Sequence, residues 1–301
     1  MGDILQQLVN GISLGAIYAL IALGYTMIYG VLRFINFAHG DIFMVGAYIG
    51  YFASNLLAQV FPVGSVLGAV SVFLISMIFC ALFGALIEFL AYRPLRSRPK
   101  LTVLITAIGV SLFLEYLSQL LFGATPRGFP EILSDKPLIK SALITINMVQ
   151  AIVIVVSLSL MFTLRIIVMK TKIGTAMRAV SHNQQAASMM GININSVITF
   201  TFMVGSALAA AGGILYASQY PSIDPLMGIM PGLKAFVAAV LGGIGNIPGA
   251  ALGGFIIGII ESFVGGTFLS TYRDAIAFII LIGILLYKPS GILGKNEVEK
   301  V

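Results

Sequence analysis

The sequence predicts an all-α membrane protein with eight to nine transmembrane helices, and three observations support this fold class. Hydrophobic residues make up 59% of the 301 residues and charged residues only 9%, whereas soluble globular domains carry about 25% charged residues. Apolar stretches long enough to cross a bilayer as helices follow one another along the chain. Basic residues are concentrated in a few polar segments between them. A soluble fold is excluded, because a chain of this length could not bury so much apolar surface.

The apolar stretches define nine candidate spans. The seventh and eighth are short and rich in glycine, so the count could be eight with one re-entrant segment. The first residues contain no Lys or Arg, so no cleaved signal peptide is expected and the first span is retained. The predicted spans are residues 8–31, 41–60, 64–91, 102–122, 143–167, 195–217, 230–245, 249–266 and 275–288.

Lysine and arginine mark one side of the membrane as cytoplasmic. Residues 93–100 contain four basic residues, and others lie in residues 165–178 and in the tail from Lys288. With nine crossings these regions share one side, which places the N-terminus outside and the C-terminus in the cytoplasm. The net charge of +6 is explained by these loops, so no nucleic-acid partner is expected. We expect one transmembrane domain over residues 1–301.

Two polar or glycine-rich breaks interrupt the apolar pattern, near residues 31–45 and 241–250. Unwound backbone at membrane depth is tolerated only where protein or a cavity covers it, so such breaks point to a transport pathway. Two alternatives stay open: Arg33 and Asp41 could neutralise each other at a helix end, and the glycines could serve helix packing. The candidate path or gate residues are Asn36, His39, Asp41, Gly242, Gly243, Gly245, Asn246 and Pro248.

Three ionisable residues, Glu115, Lys234 and Glu261, fall inside predicted spans. Buried charges in a membrane are costly unless they are paired. We predict an intramembrane ion pair of Lys234 with Glu261 or with Glu115, in preference to a substrate site. The chain has two histidines and one cysteine, too few and too scattered for a metal cluster. No nucleophile stands beside a base, so no catalytic site is expected.

A polar segment, residues 168–194, separates the fifth span from the sixth. Its core, Gln185-Ala186-Ala187 followed by Gly191, resembles the EAA loop of ABC-importer permeases, with Gln185 where that pattern has Glu. A short helix with small residues can lie in a groove of a partner, and a glycine can end it. The alternative is an amphipathic loop on the membrane surface. The candidate ATPase-coupling residues are Lys172, Gly174, Arg178, Gln185, Ala186, Ala187, Met190 and Gly191.

No segment matches the phosphate-binding pattern GxxxxGK[ST]. If the protein uses ATP, we therefore expect a separate polypeptide to bind it, and we expect no cofactor in this chain.

Several motifs together identify the family that the chain resembles. They are INFAHGD (35–41), AYRPLR (91–96), TAIGVSLFLE (106–115), TKIGTAMRAV (171–180), MGIN (190–193), KAFVAAVLGGIGNIPGA (234–250) and KPSGILGKNEVEKV (288–301). Over essentially its whole length the sequence resembles LivH-type permease subunits of high-affinity branched-chain amino-acid ABC importers. One departure is His182-Asn183, where such permeases often carry an acidic residue.

The resemblance implies a single permease domain in the bacterial inner membrane that imports leucine, isoleucine and valine. It also implies a homologous second permease, two cytoplasmic ABC ATPase subunits, and a periplasmic amino-acid-binding protein as partners. Under this reading the segment 168–194 is the coupling helix. A related permease for urea, short amides or other amino acids is the nearest alternative, and an ion-coupled secondary transporter is another. An intramembrane enzyme would need a paired nucleophile and base, which the sequence lacks.

Overall fold

A computed structural model describes residues 2–62, 64–96, 98–141, 144–288 and 290–294. The described chain is mostly helical, with short strands in the loops. Its helices are α1 (Gly2–Leu32), α2 (His39–Leu57), α3 (Val66–Ile87), α4 (Lys100–Phe122), α5 (Met148–Lys170), α6 (Lys172–His182), α7 (Gln184–Met189), α8 (Ile194–Gln219), α9 (Ile229–Gly242), α10 (Ile247–Gly265) and α11 (Arg273–Tyr287). A π-helical turn (Glu88–Tyr92) and a 3-10 turn (Arg93–Leu95) extend α3, and a second 3-10 turn (Ser270–Tyr272) precedes α11.

Seven helical segments within the described residues are long and apolar enough to cross a membrane, which confirms the predicted fold class. They contain α1, α3, α4, α5, α8, α10 and α11. The other two predicted spans are also helices: α2 begins with polar residues, and α9 has 14 residues. Each of the nine predicted spans therefore corresponds to one helix, with boundaries shifted by a few residues.

Contacts between helix ends show that these nine helices run alternately in opposite directions. At one end, the Thr145 amide donates to Gln6 near the start of α1, and Ser262 near the end of α10 donates to Gln7. We call this the outer end. At the opposite end, Gln184 in α7 donates to the carbonyl of Val31 near the end of α1. We call it the inner end; it also holds the basic segment that follows α3.

Helix α1 occupies the centre of the bundle, and nearly all of its residues from Gly11 to Ile28 are buried. It packs closely on α10 through glycines: a Cβ added at Gly15 would lie 2.8 Å from the Cα of Phe255, and one at Gly11 would lie 2.6 Å from the Cα of Ile259. Such small-residue contacts are how helices associate where lipid removes the hydrophobic drive between them.

The first predicted break is present, and it lies inside the bundle. Helix α1 ends at Leu32, and Arg33 adopts a left-handed backbone conformation with φ 56°. The chain then turns back, so that α2 begins with His39 packed against Gly24, two turns before the end of α1. Helix α2 thus starts at a depth where neighbouring helices cover its first residues, as backbone in a membrane requires.

Short strands lie between α4 and α5 and before α9. β1 (Arg127–Gly128) pairs with β4 (Ser222–Ile223) and β2 (Pro137–Lys140) pairs with β3 (Thr145–Asn147), both antiparallel. The fifth span accordingly begins at Met148, where Asn147 and Gln150 form a capping box, and not at residue 143.

Candidate functional site

The polar segment 168–194 lies at the inner end and forms two helices joined at Asn183. Each helix has its own side-chain cap: Thr171 Oγ1 accepts from the Gly174 amide at 3.1 Å, and Asn183 Oδ1 accepts from the Ala186 amide at 3.0 Å. An N-cap residue has extended backbone, so the cap at Asn183 ends α6 and starts α7. The sequence did not predict this division, because Asn183 is compatible with either a helix interior or a cap.

The predicted coupling residues divide into an anchored set and an exposed set. Ala187 is 4% exposed, and Gly174 lies directly against the carbonyl groups of Ile167 and Val168, where a Cβ would clash. Met189 and Met190 are 88% and 82% exposed. The chain leaves α7 through Gly191, whose φ of 82° suits glycine. The exposed members are Lys172, Arg178, Gln185, Ala186, Met190 and Gly191.

In the first break, Asn36, His39 and Asp41 are all buried. The Tyr92 hydroxyl donates to Asn36 Oδ1 at 2.5 Å, and the Ser111 hydroxyl donates to Asp41 Oδ2 at 2.5 Å. The imidazole of His39 packs edge-on against Tyr25, with ring centroids 4.7 Å apart. The pairing of Arg33 with Asp41, considered as an alternative from the sequence, is absent from the ion pairs of the described residues.

The second break forms a turn between α9 and α10 at the inner end, beside Gly30 of α1. Gly243 and Gly245 have φ values of 102° and 91°, and Pro248 lies in the first turn of α10. Asn246 caps α10 by accepting from the Gly249 amide at 3.2 Å and donates to the Leu293 carbonyl at 2.7 Å.

Residues 290–294 fold back onto the second break. The amides of Ile292 and Leu293 donate to the carbonyls of Leu241 and Gly242 at 2.8 and 3.1 Å. These bonds satisfy the last carbonyls of α9, which its own helix leaves free. The two breaks therefore lie in different places, the first inside the bundle and the second at its inner end.

A cleft of about 1010 Å³ opens at the inner end between the end of α1, helix α6 and the α9–α10 turn. We call it the inner cleft. It brings together Arg178, one of the predicted coupling residues, with Gly245, Asn246 and Pro248, three of the predicted path residues. Asn36, His39 and Asp41 do not line it.

The three ionisable residues singled out inside the predicted spans, Lys234, Glu261 and Glu115, lie in two separate places. Lys234 Nζ lies 2.7 Å from Glu261 Oε1 and 2.6 Å from Asp274 Oδ1 near the outer end. The Tyr18 hydroxyl donates to Glu261 Oε2 at 2.9 Å. Glu115 is not part of this network: it lies on α4, one turn after Ser111, on the side of Asp41.

A third cluster surrounds Glu88, which is fully buried at the inner end of α3. Its carboxylate pairs with Arg93 at 3.0 Å and with Arg96, and it accepts from the Thr199 hydroxyl at 2.9 Å. Arg93 and Arg96 lie near Glu88 in the chain, whereas Thr199 lies in α8, so the cluster ties the basic segment after α3 to the start of α8.

This fold defines a class: a helical, multi-pass membrane protein with a polar segment displayed at one end and broken helices within it. The chain matches the family model described as branched-chain amino acid transport system / permease component over residues 7–285, and it belongs to this family. The family and the seven apolar segments make it a multi-pass protein of the bacterial inner membrane.

Relatives of known name are similar over nearly the full length. The chain is 43% identical to the high-affinity branched-chain amino acid transport system permease protein BraD of Pseudomonas aeruginosa, covering 99% of this chain and 98% of BraD. It is 40% identical to the permease protein LivH of Escherichia coli, covering 99% and 97% of the two chains. It is also 31% identical to the ribose import permease RbsC of Haemophilus influenzae, over 42% of each chain. No solved structure matches.

Within the described residues, no three His, Cys, Asp or Glu side chains lie close enough together to hold a metal ion.

Proposed function

We propose that this chain is the translocation subunit of an importer for leucine, isoleucine and valine, driven by ATP that separate subunits hydrolyse. The observation that carries the proposal is the 43% and 40% identity, over nearly the whole length, to two permeases of high-affinity branched-chain amino acid transport systems. The chain itself carries out no chemical reaction and binds no nucleotide in this proposal, in keeping with the absence of a phosphate-binding motif from its sequence.

The inner end is the docking place for two cytoplasmic ABC ATPase subunits. Helix α7 presents the exposed Met189 and Met190 at its end, and methionine side chains adapt readily to an apolar groove. Buried Ala187 and close-packed Gly174 hold the segment on the bundle. A displacement of α6 and α7 would act on α1 through the hydrogen bond of 3.3 Å from Gln184 to Val31.

The outer end meets a periplasmic amino-acid-binding protein, and a homologous second permease completes the pathway. In this arrangement the binding protein selects the amino acid, and the path itself accepts a range of apolar substrates. The paired state of Lys234, Glu261 and Asp274 supports this division, because no carboxylate or cation of that network is left free for a substrate.

Uptake into sealed membrane vesicles tests the substrate class. Vesicles containing the chain with its second permease, ATPases and binding protein should accumulate radiolabelled leucine, isoleucine and valine, and an excess of urea or acetamide should not compete. Competition by urea or acetamide as strong as that by unlabelled leucine would assign the chain to a permease for amides. Uptake that continues after removal of the ATPases would instead assign it to an ion-coupled transporter.

A binding-protein exchange tests where specificity resides. If the binding protein of a related permease for another amino acid supports uptake through this chain, the substrate range should follow the binding protein. A range that stays unchanged after the exchange would place selection within the path.

A further inference from the structure

The lining of the inner cleft has charge of one sign. Among the described residues that line it, cationic side chains occur and carboxylates do not. Three basic residues line it, each from a different part of the chain: Arg33 just after α1, Lys100 at the start of α4 and Arg178 in α6. A concave wall that carries one sign of charge concentrates counter-ions.

These cationic groups are not neutralised by the part of the chain that the structure describes. None of its five ion pairs includes Arg33, Lys100 or Arg178, and all three residues are exposed. The guanidinium of Arg178 donates only to the Thr175 hydroxyl at 3.3 Å and approaches the Met169 sulfur at 4.0 Å. The cleft thus offers hydrogen-bond donors and charge for an anion.

The deeper wall of the same cleft is apolar. Met27, Val31, Val168, Met177 and Ile244 line it. The cleft reaches Thr26, about two turns before the end of α1. The hydroxyl of Thr26 is buried and has no hydrogen-bond partner in the described structure. A cationic rim over an apolar wall is complementary to an amphiphile with an anionic head, and a small inorganic anion would leave the apolar wall uncovered.

The cleft also lies where the predicted spans end on the inner side, which is the level expected for lipid headgroups. It is bounded by the C-terminal turns of α1 and α5 and by the first residue of α4, so it sits at the level where spans end on the inner side. Basic pockets between transmembrane helices on the cytoplasmic side are the type of site that binds the headgroups of anionic lipids.

We propose that the inner cleft binds an acidic phospholipid, with its phosphate between Arg33, Lys100 and Arg178 and an acyl chain along the Met27 and Val168 wall. The lipid would join α1, α4 and α6 with the α9–α10 turn, so it would hold the coupling segment against the bundle. The cleft shares Arg178 with the proposed coupling segment and Gly245, Asn246 and Pro248 with the candidate path residues, but lipid binding there does not depend on which substrate is carried.

The test measures lipid binding to the purified full-length chain without its partners. In a neutral detergent, the chain is titrated with phosphatidylglycerol or phosphatidylcholine, and bound lipid is counted by native mass spectrometry. The double variant Arg33→Gln/Lys100→Gln is compared with Arg98→Gln/Lys170→Gln, which removes the same charge from the inner end outside the cleft. Neither pair contains one of the candidate ATPase-coupling residues, and the ATPases are absent from this experiment.

The wild type and the Arg98/Lys170 control should bind phosphatidylglycerol in preference to phosphatidylcholine. The cleft variant should bind phosphatidylglycerol about thirtyfold more weakly, since each basic side chain near an anionic surface contributes about fivefold. Equal binding by the two double variants, or no preference for phosphatidylglycerol in the wild type, would overturn the proposal.

Competition with glycerol phosphate distinguishes a lipid ligand from a free phosphate compound. It should displace phosphatidylglycerol only at concentrations far above those of the lipid, because it cannot cover the apolar wall. Displacement at equal concentration would overturn the lipid assignment. The single variant Lys100→Gln, at an exposed helix start, should lower affinity about fivefold and guards against misfolding of the double variant. Uptake is not read out, so a failed transport proposal would leave this result interpretable.

Discussion

Lys234 pairs with carboxylates on two neighbouring helices. It lies in α9, whereas Glu261 is in α10 and Asp274 is in the first turn of α11. The sequence shows which charges lie in apolar spans, but not which helices are neighbours. The sequence therefore leaves pairing with Glu261 or with Glu115 open, and Asp274 falls just before the predicted span 275–288. The packing of α9 between α10 and α11 determines which carboxylates Lys234 can reach.

Removing the Lys234 cation alone should lower the free energy of unfolding substantially. Lys234→Met would leave the Glu261 carboxylate, 5% exposed, with the Tyr18 hydroxyl and a distant Arg273 at 3.9 Å. Breaking a buried pair in this way costs about 3–5 kcal/mol, so the midpoint of thermal unfolding in detergent should fall clearly. The double variant Lys234→Met/Glu261→Met should be closer to wild type than Lys234→Met. A double variant less stable than the single one would show that the pair is not the source of the loss.

Two glycines in helices offer a matched pair for the packing argument. A Cβ at Gly11 would lie 2.6 Å from the backbone of α10, whereas one at Gly109 of α4 would meet nothing within 4 Å. Gly11→Ala should therefore lower the unfolding midpoint, since overpacking costs about 1–3 kcal/mol. Gly109→Ala should leave it unchanged or raise it, because alanine favours helix by about 1 kcal/mol. Similar midpoints for both variants would argue against close packing of α1 on α10.

At the scale of elements, the apolar pattern predicted every span but not which helices pack around it. Hydropathy and length locate a helix, since lipid forces each span to satisfy its own backbone. The break at residues 33–38 was also predicted, because Asn36 and His39 are too polar for a continuous span. That α2 begins beside Gly24 depends on tertiary packing, and no local pattern encodes it. The division of the polar segment at Asn183 is a capping choice that the sequence permits but does not require.

The proposed coupling role of α7 leads to a prediction about binding of the ATPases. Met190 is 82% exposed, so Met190→Glu should preserve membrane insertion and abolish co-purification of the ATPases in mild detergent. Met190→Glu tests the contact more directly than Ala187→Asp would, because Ala187 is buried and aspartate there would disturb the fold of the segment itself. Gly191→Glu has a different drawback, since it would strain a backbone with φ 82°.

Leu101→Glu provides the control for Met190→Glu. Leu101 is 65% exposed in the first turn of α4, at the same inner end, where an acidic residue is favourable. This variant should retain the ATPases. Full retention of the ATPases by Met190→Glu would mean that the exposed end of α7 is not their contact.

For the whole molecule, the alternating helices and the distribution of basic residues define which end faces the cytoplasm. The only cysteine, Cys80, is buried and can be replaced by serine to give a cysteine-free background. Ser141→Cys lies in the exposed outer loop and Met190→Cys at the inner end. In intact cells or spheroplasts, a membrane-impermeant maleimide should label position 141, and position 190 only after permeabilisation. The reverse pattern would invert the assigned orientation.

The whole-molecule account rests on energy arriving from other subunits. Its most direct test is leucine uptake by proteoliposomes that contain this chain, its second permease, the ATPases and the binding protein. With wild-type ATPases and ATP, leucine should accumulate against its gradient. With ATPases that carry an inactivating substitution of the nucleotide-binding lysine, accumulation should fall to background. Accumulation that persists with the inactive ATPases, or is driven by an ion gradient alone, would contradict the account.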